Sequence, residues 1–77
     1  MLLTQKMYVE KVEEKEYKGN KFCSVKVKNE KDDKYYTVVN GSKDLLGKLE
    51  NNKDAMMTFN YRYYKNGGYK LRIEDVA

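Results

Sequence analysis

The side chains that could carry out chemistry in this chain are few and scattered. There is one cysteine, Cys23, and no histidine, so neither an imidazole base nor a disulfide within the chain is available. The carboxylates fall mainly in residues 10–16 and 30–33, where they alternate with lysines as on an ordinary solvated surface. No set of residues has the types and spacing of a nucleophile, an acid–base pair or a metal site. The sequence therefore predicts a protein that is not an enzyme and uses no metal or cofactor.

Aromatic and cationic side chains are the remaining candidates, and they recur at alternate positions of segments with strand character. If these segments form one sheet, one face carries Phe22, Lys26, Lys28, Tyr35, Arg62, Tyr64, Lys70 and Arg72. Flat rings beside positive charges suit single-stranded nucleic acid, because bases stack on rings and phosphates contact cations. Tyrosine is also favoured in strands for packing alone. Each ring therefore has a structural interpretation beside the functional one.

The first two segments are predicted to be strands joined by a tight turn. Strand character covers residues 6–17, where the step from Val9 to Val12 breaks the alternation and indicates a β-bulge. A charged helix over residues 10–16 is the alternative. The turn Lys18-Gly19-Asn20 leads into a second strand over residues 21–29. There Cys23, Val25 and Val27 would face the core, since side chains alternate between faces, and Cys23 is interpreted as a small buried hydrophobe.

The third strand is predicted over residues 34–40. We expect Tyr36 and Val38 to face the core, which leaves Tyr35 and Thr37 on the outer face. A shift of one residue in register would exchange the two tyrosines.

A short α-helix is predicted over residues 43–50, after the turn at Asn40-Gly41-Ser42. Ser42 is a suitable N-cap and Asp44 falls in the positive first turn. Leucines at positions 45, 46 and 49 would form one apolar stripe that closes the end of a larger structure.

The last two strands are predicted over residues 55–65 and from Tyr69 almost to the end of the chain. In the first of them Met57, Phe59, Tyr61 and Tyr63 would line the core face. Residues 66–68, Asn-Gly-Gly, tolerate the positive φ angles of a hairpin turn.

This order of elements predicts an all-β, five-stranded OB-fold-like barrel that forms a single domain over residues 1–77. The net charge of +4 is mildly basic. No apolar run reaches the length of a signal peptide or a membrane span. We therefore expect a soluble, cytoplasmic protein with no membrane partner.

The pattern resembles the single-stranded DNA-binding proteins of bacteria, phages and mobile elements. The resemblance is carried by Gly19-Asn20-Lys21-Phe22-Cys23-Ser24-Val25-Lys26-Val27, by Lys34-Tyr35-Tyr36-Thr37-Val38-Val39 with the leucine stripe after it, and by Met57-Thr58-Phe59-Asn60-Tyr61-Arg62. An aromatic residue at the start of the third strand stacks on DNA in that family, which implies this role for Tyr35. The tight last hairpin and the lack of an acidic tail imply a short phage or mobile-element version.

The resemblance implies binding of single-stranded DNA without strong sequence preference, in replication or recombination. RNA stays open as the ligand. The alternative is a small barrel that binds another protein, because tyrosine and arginine are enriched at both kinds of interface. Self-association through strand edges would add stability and binding-site length to so small a domain.

Overall fold

The chain forms a closed barrel of five strands, as the sequence predicts. In the computed structural model, which describes residues 1–77, the elements are β1 (Leu2–Tyr17), β2 (Asn20–Lys28), β3 (Thr37–Ser42), a 3-10 helix (Lys43–Lys48), β4 (Lys53–Tyr63) and β5 (Tyr69–Val76). The strand order around the barrel is β1-β2-β3-β5-β4. All neighbours are antiparallel except β3 and β5, which are parallel. The structure contains no helix with the length and apolarity needed to cross a membrane.

Strand β1 closes the barrel by pairing on both of its edges. Residues 2–9 pair with β4 and residues 8–17 pair with β2, and the register shifts between Val9 and Lys11. The bulge predicted from the Val9 to Val12 spacing is confirmed, and the alternative of a charged helix is wrong. The strand begins at Leu2, four residues earlier than the apolar pattern indicates.

A two-residue turn joins β1 to β2 at the predicted position. Lys18 and Gly19 have φ angles of 51° and 80°, and both positive values are typical of a type I′ hairpin turn. Such a turn matches the twist of the flanking strands. Its length fixes how β1 and β2 pair, and this pairing determines which residues of β2 face inward.

The core lies between the strands and under the 3-10 helix. It comprises Val9, Cys23, Val25, Val27, Val39, Leu45, Leu49, Met57, Phe59, Ile73 and Val76. Cys23 is completely buried, as its position in the alternation predicts, and this burial raises the pKa of its thiol. The inward face of β2 is therefore the predicted one.

The predicted helix is present between β3 and β4, but it is a 3-10 helix that ends at Lys48 and not an α-helix that reaches Glu50. The backbone N–H of Asp44 donates to Ser42 Oγ at 3.3 Å, so the predicted cap is confirmed. Leu45 and Leu49 are buried. Leu49 follows the helix in an extended conformation. This conformation brings its side chain to the same end of the barrel as Leu45, although the helix itself is too short to form the predicted leucine stripe.

Strand β3 is shifted by one residue from the predicted register. It runs over Thr37–Ser42, with Val39 2% exposed and Val38 53% exposed. Tyr36, predicted to be a core residue, lies before the strand and is 49% exposed. The reason is that Val39 pairs with Val25 and Gly41 with Cys23, and the inward position beneath Leu45 is so close that a Cβ at residue 41 would lie 2.9 Å from Leu45 Cδ1.

The prediction that Tyr63 is a core residue is also wrong, although Tyr63 does lie on the predicted face of β4. Tyr63 is 75% exposed and Tyr61 is half-buried, whereas Met57 and Phe59 on the same face of β4 are buried. The barrel wall opposite β4 does not extend past Phe59. The β4–β5 hairpin therefore projects beyond the open end of the barrel, and no strand covers the inward side of its tip.

We predict that Gly41→Ala destabilises the fold. An added Cβ would lie 2.9 Å from Leu45 Cδ1 and 3.1 Å from the Ile73 carbonyl oxygen. Overpacking of this kind costs about 1–3 kcal/mol, and thermal denaturation followed by circular dichroism would show it as a lower Tm. Gly47→Ala is the control, because nothing lies within 4 Å of a Cβ at Gly47. Equal melting temperatures for the two variants would contradict the close contact at Gly41.

Candidate nucleic-acid interface

The outer face of the sheet formed by β2, β3, β5 and β4 brings most of the predicted residues together. Cross-strand pairs join Ser24 to Asn40, Asn40 to Arg72 and Arg72 to Asn60. The neighbouring row contains Lys26 paired with Val38 on one side, and Lys70 paired with Arg62 on the other. Their side chains point away from the core, as alternation requires. We call this surface the cationic face and define it by Phe22, Lys26, Tyr36, Val38, Arg62, Tyr64, Lys70 and Arg72.

A shallow concavity of about 240 Å³ lies on the cationic face at the β4–β5 hairpin. It is lined by Asn60, Arg62, Tyr64, Lys70, Arg72 and Glu74. Four of these residues, Arg62, Tyr64, Lys70 and Arg72, belong to the set predicted from the sequence. No three histidine, cysteine, aspartate or glutamate side chains converge in this chain to form a metal site.

The positive charges at this concavity have few acidic partners. No carboxylate lies within 4.0 Å of Arg62 or Lys70, while Arg72 Nε is 3.9 Å from Glu74 Oε1. The same Glu74 oxygen accepts a hydrogen bond from Asn60 Nδ2 at 3.3 Å. Glu74 therefore offsets part of one charge, and two cations stay available to an anionic ligand.

Tyr36 occupies the cationic face, where Tyr35 was predicted. Lys26 Nζ lies 4.9 Å from the centre of the Tyr36 ring, within the range of a cation–π contact. Tyr35 is 79% exposed and belongs to the loop before β3, with Lys34 Nζ 5.5 Å from its ring. This is the exchange that a one-residue shift in register produces. The adjacent pair Val38-Val39 hides the shift in the sequence, since either valine could face inward.

Phe22 lies on the predicted face, one row further along β2. It pairs with Lys15 of β1 and Ser42 of β3 and is half-buried. Part of its ring is therefore occupied by packing and part faces solvent.

Lys28 differs from the other predicted cations because its charge is already used. Its ammonium is 3.3 Å from Glu10 Oε1 and 6.0 Å from the centre of the Tyr8 ring, and its side chain is only 12% exposed. Tyr8 is itself buried and donates to Asn52 Oδ1 at 3.3 Å. Lys28 therefore belongs to a packed polar group beside the β1 bulge.

Lys11 sits beside Lys26 in the sheet but is neutralised locally. Its ammonium lies 2.9 Å from Glu13 Oε1. This hydrogen bond and the attraction of opposite charges raise the pKa of Lys11 and lower that of Glu13. The pair stays ionised over a wide pH range and adds little net charge to the face.

Comparison with protein-family models, curated proteins and solved structures gives no match. The resemblance to single-stranded DNA-binding proteins therefore stays a prediction. The functional argument depends on the barrel and on the chemistry of its surfaces.

We predict that Lys28→Ala destabilises the protein, since it leaves the Glu10 carboxylate half-buried without its partner. Glu10 Oε2 already lacks a hydrogen-bond partner, so the loss should cost about 1–3 kcal/mol. Urea denaturation would measure it. Lys26→Ala, two residues away on the same strand, is the control and should change the free energy of unfolding by less than about 0.5 kcal/mol. A silent Lys28→Ala would show that the ion pair does not support the bulge.

Proposed function

We propose that this protein binds single-stranded DNA on its cationic face with little sequence preference. The observation that carries the proposal is the grouping of unpaired cations and exposed rings on one surface. Lys26, Arg62 and Lys70 have no carboxylate within ion-pair distance, and Tyr36 and Tyr64 are each 49% exposed beside them. The role that the family resemblance suggests is protection of exposed strand during replication or recombination in a phage or mobile element.

The two sides of the face would hold the two parts of the ligand. Phosphates would contact Arg62, Lys70 and Arg72 at the concavity, where Lys70 and Arg62 stand directly opposite each other on neighbouring strands. Bases would stack on Tyr64 and, across the β3–β5 boundary, on Tyr36. Stacking tolerates any base because each has a π-face. This division accounts for binding without sequence readout.

The position of Tyr36 beside Lys26 adds a second source of affinity. A cation held 4.9 Å from the ring centre would keep the ring in place and contact the phosphate next to a stacked base. Phe22 would extend the same path along β2, and the loop residue Tyr35 is left with no fixed neighbour on the face.

A fluorescence titration at several salt concentrations tests the electrostatic part of the proposal. The ligands are labelled oligo-dT, oligo-rU and duplex DNA. Each phosphate contact contributes about 0.7 to the slope of log K against log salt for single strands, so the double variant Arg62→Ala/Lys70→Ala should lower the slope by roughly 1.4. Lys53→Ala, which removes an exposed charge from the other end of β4, is the control. Binding to a protein partner in place of DNA is indicated if oligo-dT does not bind at low salt, and tighter binding of oligo-rU assigns the site to RNA.

The stacking part is tested by comparing two adjacent tyrosines. We predict that Tyr36→Ala weakens oligo-dT binding by about 1–3 kcal/mol with little change in Tm, because the ring is on the surface. Tyr35→Ala should change neither affinity nor Tm by more than a small amount. A large loss of affinity in Tyr35→Ala alone would return the stacking role to the residue that the sequence pattern favours. Loss of stability in Tyr36→Ala would contradict its surface position.

A further inference from the structure

The reverse side of the β4–β5 hairpin carries a second surface, made of tyrosine rings and apolar side chains. Tyr61 stacks on Tyr69 with ring centres 5.4 Å apart and an angle of 28° between the rings. Tyr63 meets Tyr61 edge-on, at 5.0 Å and 87°. Tyr63 and Tyr69 are nevertheless 75% and 65% exposed. The three rings stiffen one another while their outer faces remain open to solvent.

These rings stand beside an apolar cavity at the open mouth of the barrel. The cavity has a volume of about 150 Å³ and is lined by Leu3, Gln5, Met7, Val27, Thr37, Val39, Phe59 and Leu71. The opposite end of the barrel is filled by Leu45 and Leu49, so only this end is uncovered. We call the cavity together with Tyr61, Tyr63 and Tyr69 the mouth face.

The mouth face contains no charged side chain, in contrast to the cationic face on the other side of the hairpin. It is therefore poorly suited to phosphates, which need cations or donated hydrogen bonds. Contiguous apolar surface of this kind marks an interaction site, and protein interfaces are one such site. Because its side chains are uncharged, two basic molecules, each with a net charge of +4, can meet there with only the N-terminal ammonium, which donates to the Tyr61 carbonyl oxygen at 3.0 Å, at the edge of the contact.

The exposed area suits a small, weak interface, below the usual size of a specific one. At about 150–250 Å² for each aromatic residue, the exposed parts of Tyr63 and Tyr69 provide roughly 200–350 Å². Leu3, which is 50% exposed, and the rest of the cavity wall add to this. Two copies together approach the lower limit of specific interfaces, which is about 1,000–1,200 Å² in total.

We propose that a second copy of this chain docks on the mouth face to form a twofold symmetric dimer. The projecting rings and the cavity lie on the same surface, displaced along the hairpin. A twofold axis between them would place Tyr63 and Tyr69 of each copy in the mouth of the other, as an isologous interface requires.

The polar groups in the cavity fit this occupant. Gln5 Nε2 donates to Asn29 Oδ1 at 3.0 Å, which leaves its amide oxygen free to accept. The Thr37 hydroxyl has no hydrogen bond within the chain. A tyrosine hydroxyl from the second copy that enters the cavity could bond to both groups, so this hydroxyl would keep hydrogen bonds when buried.

The proposal is independent of nucleic-acid binding. Arg62 and Tyr64 point to the other side of the hairpin, so the cationic faces of both copies stay open in the dimer. A failure of dimerisation would leave DNA binding untouched, and a failure of DNA binding would leave the dimer.

Sedimentation equilibrium in the absence of nucleic acid tests the dimer. The mass should rise from 9.1 kDa toward twice that value as the concentration increases from about 1 µM to about 500 µM, which covers the range of weak association. Tyr63→Glu puts a charge on the mouth face and should raise the dissociation constant at least about tenfold. Tyr17→Glu, at the exposed tip of the other hairpin, is the matched control and should leave it unchanged. A wild-type protein that stays monomeric throughout, or equal effects of both substitutions, would overturn the proposal.

Methyl resonances provide a second measurement that needs no substitution. On raising the concentration, the methyl signals of Leu3, Val27, Val39 and Leu71 should shift, whereas Leu45 and Val76 at the closed end should not. Shifts confined to another surface would overturn the docking site. Oligo-dT binding is measured at a protein concentration at which Tyr63→Glu is monomeric. If this variant then binds oligo-dT tenfold more weakly than wild type, the mouth face contacts bases, and the dimer proposal is overturned as well.

Discussion

The β-bulge at Glu10 is the constraint on which the barrel depends. It lets one long strand pair with β4 along its first half and with β2 along its second. Without the extra residue, Val12 would fall on the outer side when Val9 faces inward, because side chains alternate strictly in a regular strand. The Glu10 carboxylate that this places beside β2 is held by Lys28, which lies over the buried Tyr8 ring. Barrel closure and this ion pair are therefore parts of one local arrangement.

Closure of the barrel also determines why the last hairpin has two different surfaces. β4 and β5 continue past the point where the other strands end. In this projecting part, the residues that would face the core are exposed, and so are those that would face solvent, which gives the hairpin two exposed faces. Arg62 and Lys70 are on one side, and Tyr63 and Tyr69 are on the other. A single hairpin thus carries a surface suited to anions and a surface suited to an apolar partner, separated only by the thickness of the sheet.

The sequence predicts those parts of the structure where alternation has a single solution. Val25 and Val27 lie between Ser24, Lys26 and Lys28, and Cys23 is in phase with them, so the inward face of β2 can be read directly from the sequence. The pair Val38-Val39 permits two registers, and the correct one depends on Gly41 fitting beneath Leu45, a contact between distant elements. Tyr61 and Tyr63 alternate as core residues do, but alternation does not reveal how far the opposite wall of the barrel extends. On β4 and β5 the sequence predicts the site residues where the structure has them. It does not predict Tyr36 on the face, because the pair Val38-Val39 leaves the register of β3 open.

The candidate interface crosses the weakest boundary of the barrel. β3 and β5 are joined by only two residue pairs, Asn40 with Arg72 and Gly41 with Ile73. Lys26 and Tyr36 lie on one side of this boundary, and Arg62 and Lys70 lie on the other. A strand of nucleic acid that contacts both sides would be bound only by the closed barrel, and a ligand that binds the native state alone stabilises it by an amount that grows with the logarithm of ligand concentration over Kd. The contacts that hold the ligand would thus also stabilise the closed barrel at the β3–β5 boundary, where the fewest backbone pairs join neighbouring strands.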